Sequence, residues 1–131
     1  MTTIRKICKY VEQDGTSPVS DFIRRLDWKL QKKVMAQLKQ LENPAFALQP
    51  PHIKAFRQSR HKGFYELRTR IRQAVRIIFI VNEDGRIVLL HGFIKKNDRA
   101  TERALETARA RQLALASGLA STKILRWEML K

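Results

Sequence analysis

The sequence predicts an α+β fold: an N-terminal strand, a two-helix hairpin, an antiparallel sheet of three further strands and a C-terminal helix. Three observations predict it. Residues 63–96 form three β-type segments separated by turn residues, apolar residues recur at helical spacing in residues 17–43, and residues 99–116 are rich in Ala, Arg, Glu and Leu. A chain of 131 residues with 44% hydrophobic residues is large enough for one globular core.

The first elements are a strand and two helices. Thr3–Val11 is predicted as the strand, ended by a turn at Asp14-Gly15. Ser17-Pro18 begins the first helix, because serine accepts a hydrogen bond at the N-cap and proline fits the first helical position. Asp27 is predicted to cap the second helix, which shows the apolar stripe Leu30, Val34, Leu38 and Leu41.

Asn43-Pro44 ends the helical hairpin, and residues 44–62 are predicted as a loop. A loop of this length in a compact domain is often functional. Its second half is basic and contains His52, Lys54, Arg57, Arg60, His61 and Lys62.

The sheet is predicted from Phe64–Arg70, Ala74–Val81 and Arg86–Lys95, with a hairpin turn ending at Gly85. The first of these strands alternates in polarity. Its alternation places Glu66, Arg68 and Arg70 on one face and Tyr65, Leu67 and Thr69 on the other.

Asn97-Asp98 offers a cap for the helix over residues 99–116, which Ser117-Gly118 ends. Leu119–Lys131 is predicted as a last short helix whose apolar residues include Trp127. We expect this tail to fold onto the body, form a dimer contact or dock on a partner, and the sequence does not choose among the three.

The charge balance points to an anionic partner. The chain has 27 Lys and Arg against 12 Asp and Glu, a net charge of +15. Such an excess favours contact with nucleic acid, a ribosome, an acidic protein or an anionic membrane surface over a role in solubility alone. No apolar run is long enough to span a membrane, and the charged N-terminus is not a signal peptide, so a soluble cytoplasmic protein is predicted.

The sequence gives no support for cofactor or metal chemistry. It lacks the P-loop, GxGxxG, HExxH and CxxC motifs, and Cys8 is the single cysteine. We therefore predict no cofactor and no metal site.

The candidate chemistry lies in the basic residues of the sheet and the loop: Lys54, Arg68, Arg70, Arg76, His91, Lys95 and Lys96. Such a cluster suits phosphodiester binding. Metal-free RNA cleavage needs a base for the 2′-OH proton, cations for the phosphate and an acid for the leaving 5′-oxygen. Arginine suits the phosphate, whereas a lysine, His91 or Glu66 could transfer a proton. The pattern fits a ribonuclease or a binder that cuts nothing, and Arg76 is either a phosphate contact or a buried partner of Glu66.

A family resemblance narrows these alternatives. The segments FYELRTR, VRIIFIV and IVLLHGFIKKNDRATERALETARAR resemble, in this order, the HigB-type, phage-derived killer-protein branch of the RelE/ParE toxin superfamily. The similarity spans roughly residues 3–112 and includes the upstream strand, helix pair and loop. It implies a RelE-like fold, with residues 1–112 as the toxin domain and residues 113–131 as a C-terminal helical extension.

The resemblance implies the toxin of a type II toxin–antitoxin pair that cuts mRNA on the ribosome without a metal, neutralised by a helix-turn-helix antitoxin of HigA type. Arg68, Arg76 and Lys95 are the predicted catalytic residues. Lys54, Arg70, His91 and Lys96 are the predicted nucleic-acid contacts. Phe79 stands where related sequences often have tyrosine, which removes an aromatic hydroxyl. The alternatives are a ParE-like inhibitor of DNA gyrase and a non-toxic nucleic-acid-binding module.

Overall fold

A computed structural model describes residues 4–126 and confirms the α+β class. In these residues a six-stranded mixed sheet packs against three α-helices. The elements in chain order are β1 (Ile7–Val11), α1 (Pro18–Arg25), α2 (Trp28–Gln40), β2 (Ile53–Ala55), a 3₁₀ turn (Ser59–His61), β3 (Phe64–Ile71), β4 (Gln73–Val81), β5 (Ile87–Ile94), α3 (Asp98–Ala116) and β6 (Ser121–Ile124).

The sheet order is β2-β3-β4-β5-β1-β6. Neighbouring strands are antiparallel except β1 and β5, which pair in parallel with Ile7 opposite Ile87. The N-terminal strand therefore lies inside the sheet, between β5 and β6, while β2 and β6 form the two edges.

The predicted helix caps are confirmed. The side chains of Ser17, Asp27 and Asn97 accept hydrogen bonds from the backbone N–H groups of Ser20, Leu30 and Ala100, respectively. Each bond satisfies a donor that the first helical turn would otherwise leave unpaired.

Two layers of side chains cover the sheet. The face covered by α1 and α2, here called the hairpin face, holds the larger core; the opposite face, the α3 face, packs on α3. Gly92 lies on the hairpin face, where a Cβ atom would come within 2.3 Å of the Phe22 ring of α1. The absence of a side chain at Gly92 therefore allows the close approach of α1 to β5.

Two predictions about the strands were wrong. The sheet has six strands rather than four, because residues 53–55 of the predicted loop add β2 at one edge. The tail predicted as a helix instead forms β6, which pairs with β1 through Cys8 opposite Ile124. The edge of β1 offers backbone hydrogen-bond partners to this segment, and that pairing outweighs its local preference for a helix. The remainder of that predicted helix, residues 127–131 with Trp127, lies outside the described residues, as does Thr3 of the predicted first strand.

A β-bulge in β5 decides which side chains reach the α3 face. Phe79 pairs with Leu89 but Ile78 pairs with His91, so Leu90 is an extra residue in β5. The bulge shifts the alternation by one residue. His91 and Phe93 consequently share the α3 face with Ile78 and Arg76.

Candidate functional site

Basic side chains from neighbouring strands lie side by side on the α3 face. Arg68 of β3 is directly opposite Arg76 of β4, and Arg76 is directly opposite Phe93 of β5. Arg70 and Lys54 share this face, because Arg70 follows Arg68 by two residues and Lys54 pairs with Glu66. The alternation predicted for β3 is thus confirmed.

A buried carboxylate lies between the two paired arginines. Glu66 is 1% exposed, and its Oε1 is 3.2 Å from Arg68 Nε and 3.6 Å from Arg76 Nε. Arg76 is more deeply placed than Arg68, with 12% of its side chain exposed against 33%. Burial lowers the pKa of the Arg76 guanidinium; Glu66 opposes this effect, and Arg68 and Arg70 add to it. Glu66 therefore partly offsets the repulsion between the two arginines.

The arginines open onto a pocket of about 220 Å³, here called the basic pocket. Its lining combines β3 and β4 with the loop before β2 and with α2: Lys33, Gln37, Pro51, His52, Arg68, Thr69, Arg70 and Arg76. Four cationic side chains and one imidazole thus meet at a single concave site, which suits an anionic ligand.

Helix α2 fixes the strand edge that carries these arginines. Gln37 Nε2 donates to the carbonyl oxygen of Arg68 at 2.9 Å, and Lys33 Nζ donates to that of Arg70 at 3.1 Å. The backbone N–H of Arg68 donates to the carbonyl oxygen of His52 at 2.8 Å. These bonds hold β3 from both sides, so the arginine side chains project from a rigid support.

A second concavity, here called the cleft, lies beside α3 and has a volume of about 660 Å³. Lys54 and Lys95 line it, together with His61 and Glu102. Lys95 Nζ is 3.6 Å from Asp98 Oδ1, and Lys54 Nζ is 5.1 Å from the centre of the Phe56 ring. The two lysines add positive charge next to the strands that carry the arginines.

His61 is a buried imidazole in the wall of the cleft. Its Nδ1 is 3.2 Å from Arg109 Nη2 and its Nε2 is 3.5 Å from Glu102 Oε2. An arginine can only donate, so Nδ1 accepts from Arg109 and the ring proton is on Nε2, facing Glu102. This arrangement connects the 3₁₀ turn to α3, and Arg60 strengthens the connection with a 3.1 Å ion pair to Glu102.

His91 is held neutral on the α3 face. Its ring stacks on Phe93 with centroids 5.8 Å apart, and its Nδ1 is 3.1 Å from Arg111 Nη1. Burial, and to a lesser extent Arg111, lowers the pKa of His91 to about 4. Nδ1 accepts from Arg111, so the remaining proton is on Nε2 and His91 can donate but not act as a base through that atom.

The predicted site residues fall into three groups. Arg68, Arg70 and Arg76 meet in the basic pocket, and Lys54 and Lys95 line the cleft. His91 and Lys96 line neither; Lys96 is exposed just before α3. The structure adds four polar residues that were not chosen from the sequence: Lys33, His52, His61 and Glu102.

The additional residues differ in how far sequence could reveal them. His52 and His61 belong to the basic half of the predicted loop, and Lys33 lies in the predicted second helix, so their charge was visible but their position was not. Glu102 gave no signal, since one glutamate in an exposed helix resembles any other. Within residues 4–126, no three His, Cys, Asp or Glu side chains come close enough to hold a metal ion. No helix in the described residues is long and apolar enough to cross a membrane.

Comparison with known proteins identifies the family. Residues 21–113, most of the chain, match the profile of the phage-derived Gp49-like proteins (DUF891). The matched region runs from the first turn of α1 almost to the end of α3 and includes the basic pocket and the cleft. A search of curated proteins finds no match. The chain therefore belongs to the Gp49-like family of phage-derived proteins, which is part of the RelE/ParE-like toxin superfamily.

Proposed function

We propose that this protein is the toxin of a type II toxin–antitoxin pair and that it cleaves mRNA on the ribosome without a metal ion. The family and the basic sheet support the proposal. The observation on which it mainly rests is the convergence of Arg68, Arg70 and Arg76 in one pocket, since a scissile phosphate needs several donors at one point.

Arg68 and Arg76 have complementary roles in this proposal. Arg68 contacts Glu66 through Nε, so both of its terminal nitrogens remain available for two phosphate oxygens. Arg76 is less exposed and keeps its charge beneath the pocket, next to Glu66. Together they bind the phosphate and stabilise the negative charge that develops on it.

Proton transfer requires a group other than arginine, because the guanidinium stays protonated. His52 lines the basic pocket, and a neutral imidazole nitrogen can accept a proton. We assign it as the base that removes the 2′-OH proton. The 2′-oxygen then attacks phosphorus, the 5′-oxygen leaves with a proton, and the products are a 2′,3′-cyclic phosphate and a 5′-hydroxyl. Lys95, assisted by Lys96 and Lys54, supplies charge or the leaving-group proton.

The test is cleavage of a translated mRNA in a reconstituted system, with mapping of 5′ ends. We expect Arg68→Gln and Arg76→Gln each to lower the cleavage rate about 100-fold or more, the usual effect of removing one transition-state donor. Arg103→Gln, on the exposed surface of α3, is the matched control and should cleave normally. Thermal unfolding of each variant separates lost chemistry from lost folding.

Unchanged cleavage in both pocket variants would overturn the assignment. Intact mRNA together with inhibited DNA supercoiling would instead identify a gyrase inhibitor, the other activity considered for this superfamily. If the protein neither cleaves mRNA nor inhibits DNA supercoiling, the remaining alternative is a non-toxic nucleic-acid-binding module.

The proposal includes a cytoplasmic setting and a helix-turn-helix antitoxin of HigA type. The net charge of +15 favours an acidic or amphipathic partner surface. A reading frame for such a protein beside this gene would support the pairing, although it would not distinguish an RNA target from gyrase.

A further inference from the structure

A further basic concavity lies at the edge of the sheet opposite β2. It occupies about 710 Å³ between α1 and the β1–β6 pair and is here called the basic groove. Its lining residues are mostly small, polar or cationic: Lys9, Gly15, Thr16, Ser17, Ser20, Asp21, Arg24, Lys123, Ile124 and Arg126.

Like charges are placed together in this groove. Lys9 of β1 and Lys123 of β6 are direct cross-strand partners, an arrangement that destabilises a sheet unless an anion lies nearby. The one carboxylate among the groove residues, Asp21, is already paired with Arg24 at 3.2 Å. Burial lowers the pKa of Lys9, Arg24 and Lys123 lower it further, and Asp21 opposes them in part. Neither lysine forms an ion pair within residues 4–126, so the groove has unbalanced positive charge.

The first turn of α1 adds a neutral hydroxyl to the same groove. Ser17 caps the helix by accepting from the Ser20 N–H, and Asp21 lies in the same turn. Ser20 is 1% exposed, and its Oγ has no hydrogen-bond partner among the described residues. A buried hydroxyl without a partner is costly, so its position on the groove wall marks a place for an acceptor.

We propose that the basic groove binds the phosphate groups of a folded RNA, at a contact site separate from the pocket where cleavage is proposed. Phosphate oxygens are bound by Lys and Arg side chains and by serine hydroxyls, and the groove offers both. An acidic protein partner would need a central apolar anchor site, whereas Ile124 is the one large apolar side chain in the lining.

The groove is a feature of this chain outside most of the family match. Of its ten residues, only Asp21 and Arg24 fall within residues 21–113. Its biological role rests on the proposed function, because the RNA bound at the groove is taken to be part of the same substrate complex that reaches the pocket at the other edge of the sheet. Its binding chemistry stands independently and can be measured without any cleavage.

Inorganic phosphate is the first probe. Phosphate replaces chloride in a titration at constant ionic strength. We expect saturable amide chemical-shift changes at Ser20, Lys9 and Lys123. Ser20→Ala should weaken that binding, while Ser117→Ala at the end of α3 should not. Absence of saturable changes at these amides would contradict a phosphate site.

The second probe is a stem-loop RNA, whose affinity is measured across salt concentrations. Lys9→Gln with Lys123→Gln should lower the slope of log K against log salt by about 1.4 to 1.8, as expected for two lost phosphate contacts, and should weaken binding at low salt. The control, Lys6→Gln with Lys29→Gln, removes two exposed lysines that do not line the groove and should change the slope much less.

The outcomes separate this inference from the proposed function. An unchanged slope in the groove variant would overturn the inference even if the protein cleaves mRNA. If the groove variant no longer binds polyglutamate but still binds RNA normally, the groove is a site for an acidic protein, and the inference is also overturned. RNA binding that depends on the groove, in a protein that cleaves no mRNA, would support the groove and refute the nuclease. If both proposals hold, the groove variant should show a raised KM and an unchanged kcat.

Discussion

The basic pocket and the basic groove use positive charge in different ways. In the pocket, Arg68 and Arg76 are neighbours across two strands, with the buried Glu66 beside them. In the groove, Lys9 and Lys123 are neighbours across two strands with no carboxylate contacting either amine within residues 4–126. In the pocket a buried carboxylate therefore partly offsets the arginine charges and fixes their geometry, whereas the groove retains repulsion that an anion would relieve.

The difference matches the two proposed tasks. Transition-state stabilisation needs donors held in place before the substrate arrives, and a buried ion pair provides that rigidity. Backbone binding needs net charge more than geometry, and lysine ammonium groups on flexible stems provide it.

Removing the carboxylate of Glu66 should have the largest effect on stability. We expect Glu66→Gln to lower the free energy of unfolding by about 3 kcal/mol, because Arg76 is left buried beside Arg68 without a counter-charge. Urea unfolding measures the change, and Glu106→Gln on the exposed side of α3 is the control. A loss below about 0.5 kcal/mol would show that the pocket, like the groove, tolerates unbalanced charge.

Acid should affect the α3 face next, through His91. Its pKa is about 4 in the folded protein against 6.5 for the free side chain, so the unfolded chain gains a proton before the folded one does. The stability that depends on neutral His91 is complete above pH 6.5 and is lost as the pH falls through about 4. The full shift would correspond to about 3 kcal/mol, and partial solvation of the ring reduces our expectation to about 1 to 2 kcal/mol.

Unfolding measurements from pH 7 to pH 4 on wild type and His91→Asn check this expectation. The variant should lose less stability than wild type over the window, since carboxylates and the other histidines titrate in both proteins. Parallel curves would contradict the lowered pKa of His91 in the folded protein.

The smallest expected effect is a gain in stability at the groove. Lys123→Thr should raise the free energy of unfolding by about 0.2 to 0.5 kcal/mol without ligand, because one of two opposed cations is removed from the β1–β6 pair. High salt should erase the gain by screening the repulsion. A loss of stability at low salt would show that the lysine pair is already neutralised.

Local patterns predicted the parts of the fold that depend on local physics. The caps at Ser17, Asp27 and Asn97 and the alternation of β3 follow from a few adjacent residues, and both were predicted correctly. Strand β6 could not be predicted this way. All four of its residues are exposed, so no alternation marks it, and the edge of β1 provides its pairing partner.

The candidate site shows the same limit. Arg68 and Arg76 lie on consecutive strands that pair as a hairpin, so their proximity is predictable from the sequence. Lys33 and His52 join them through the packing of α2 and of a loop, which depends on tertiary structure. The bulge at Leu90 also reverses the face that simple alternation assigns to His91.

The position of β1 inside the sheet has a consequence for the order of folding. The pocket arginines belong to β3 and β4, which are joined by a tight turn and can pair as soon as both are synthesised. Ile7 must find Ile87 across about two thirds of the described chain, and Cys8 must find Ile124 across nearly all of it. Closing such long loops costs more entropy and is slower than forming a hairpin. We therefore expect the two basic sites to form at different times during folding, the pocket with the central strands and the groove at the final docking of β6.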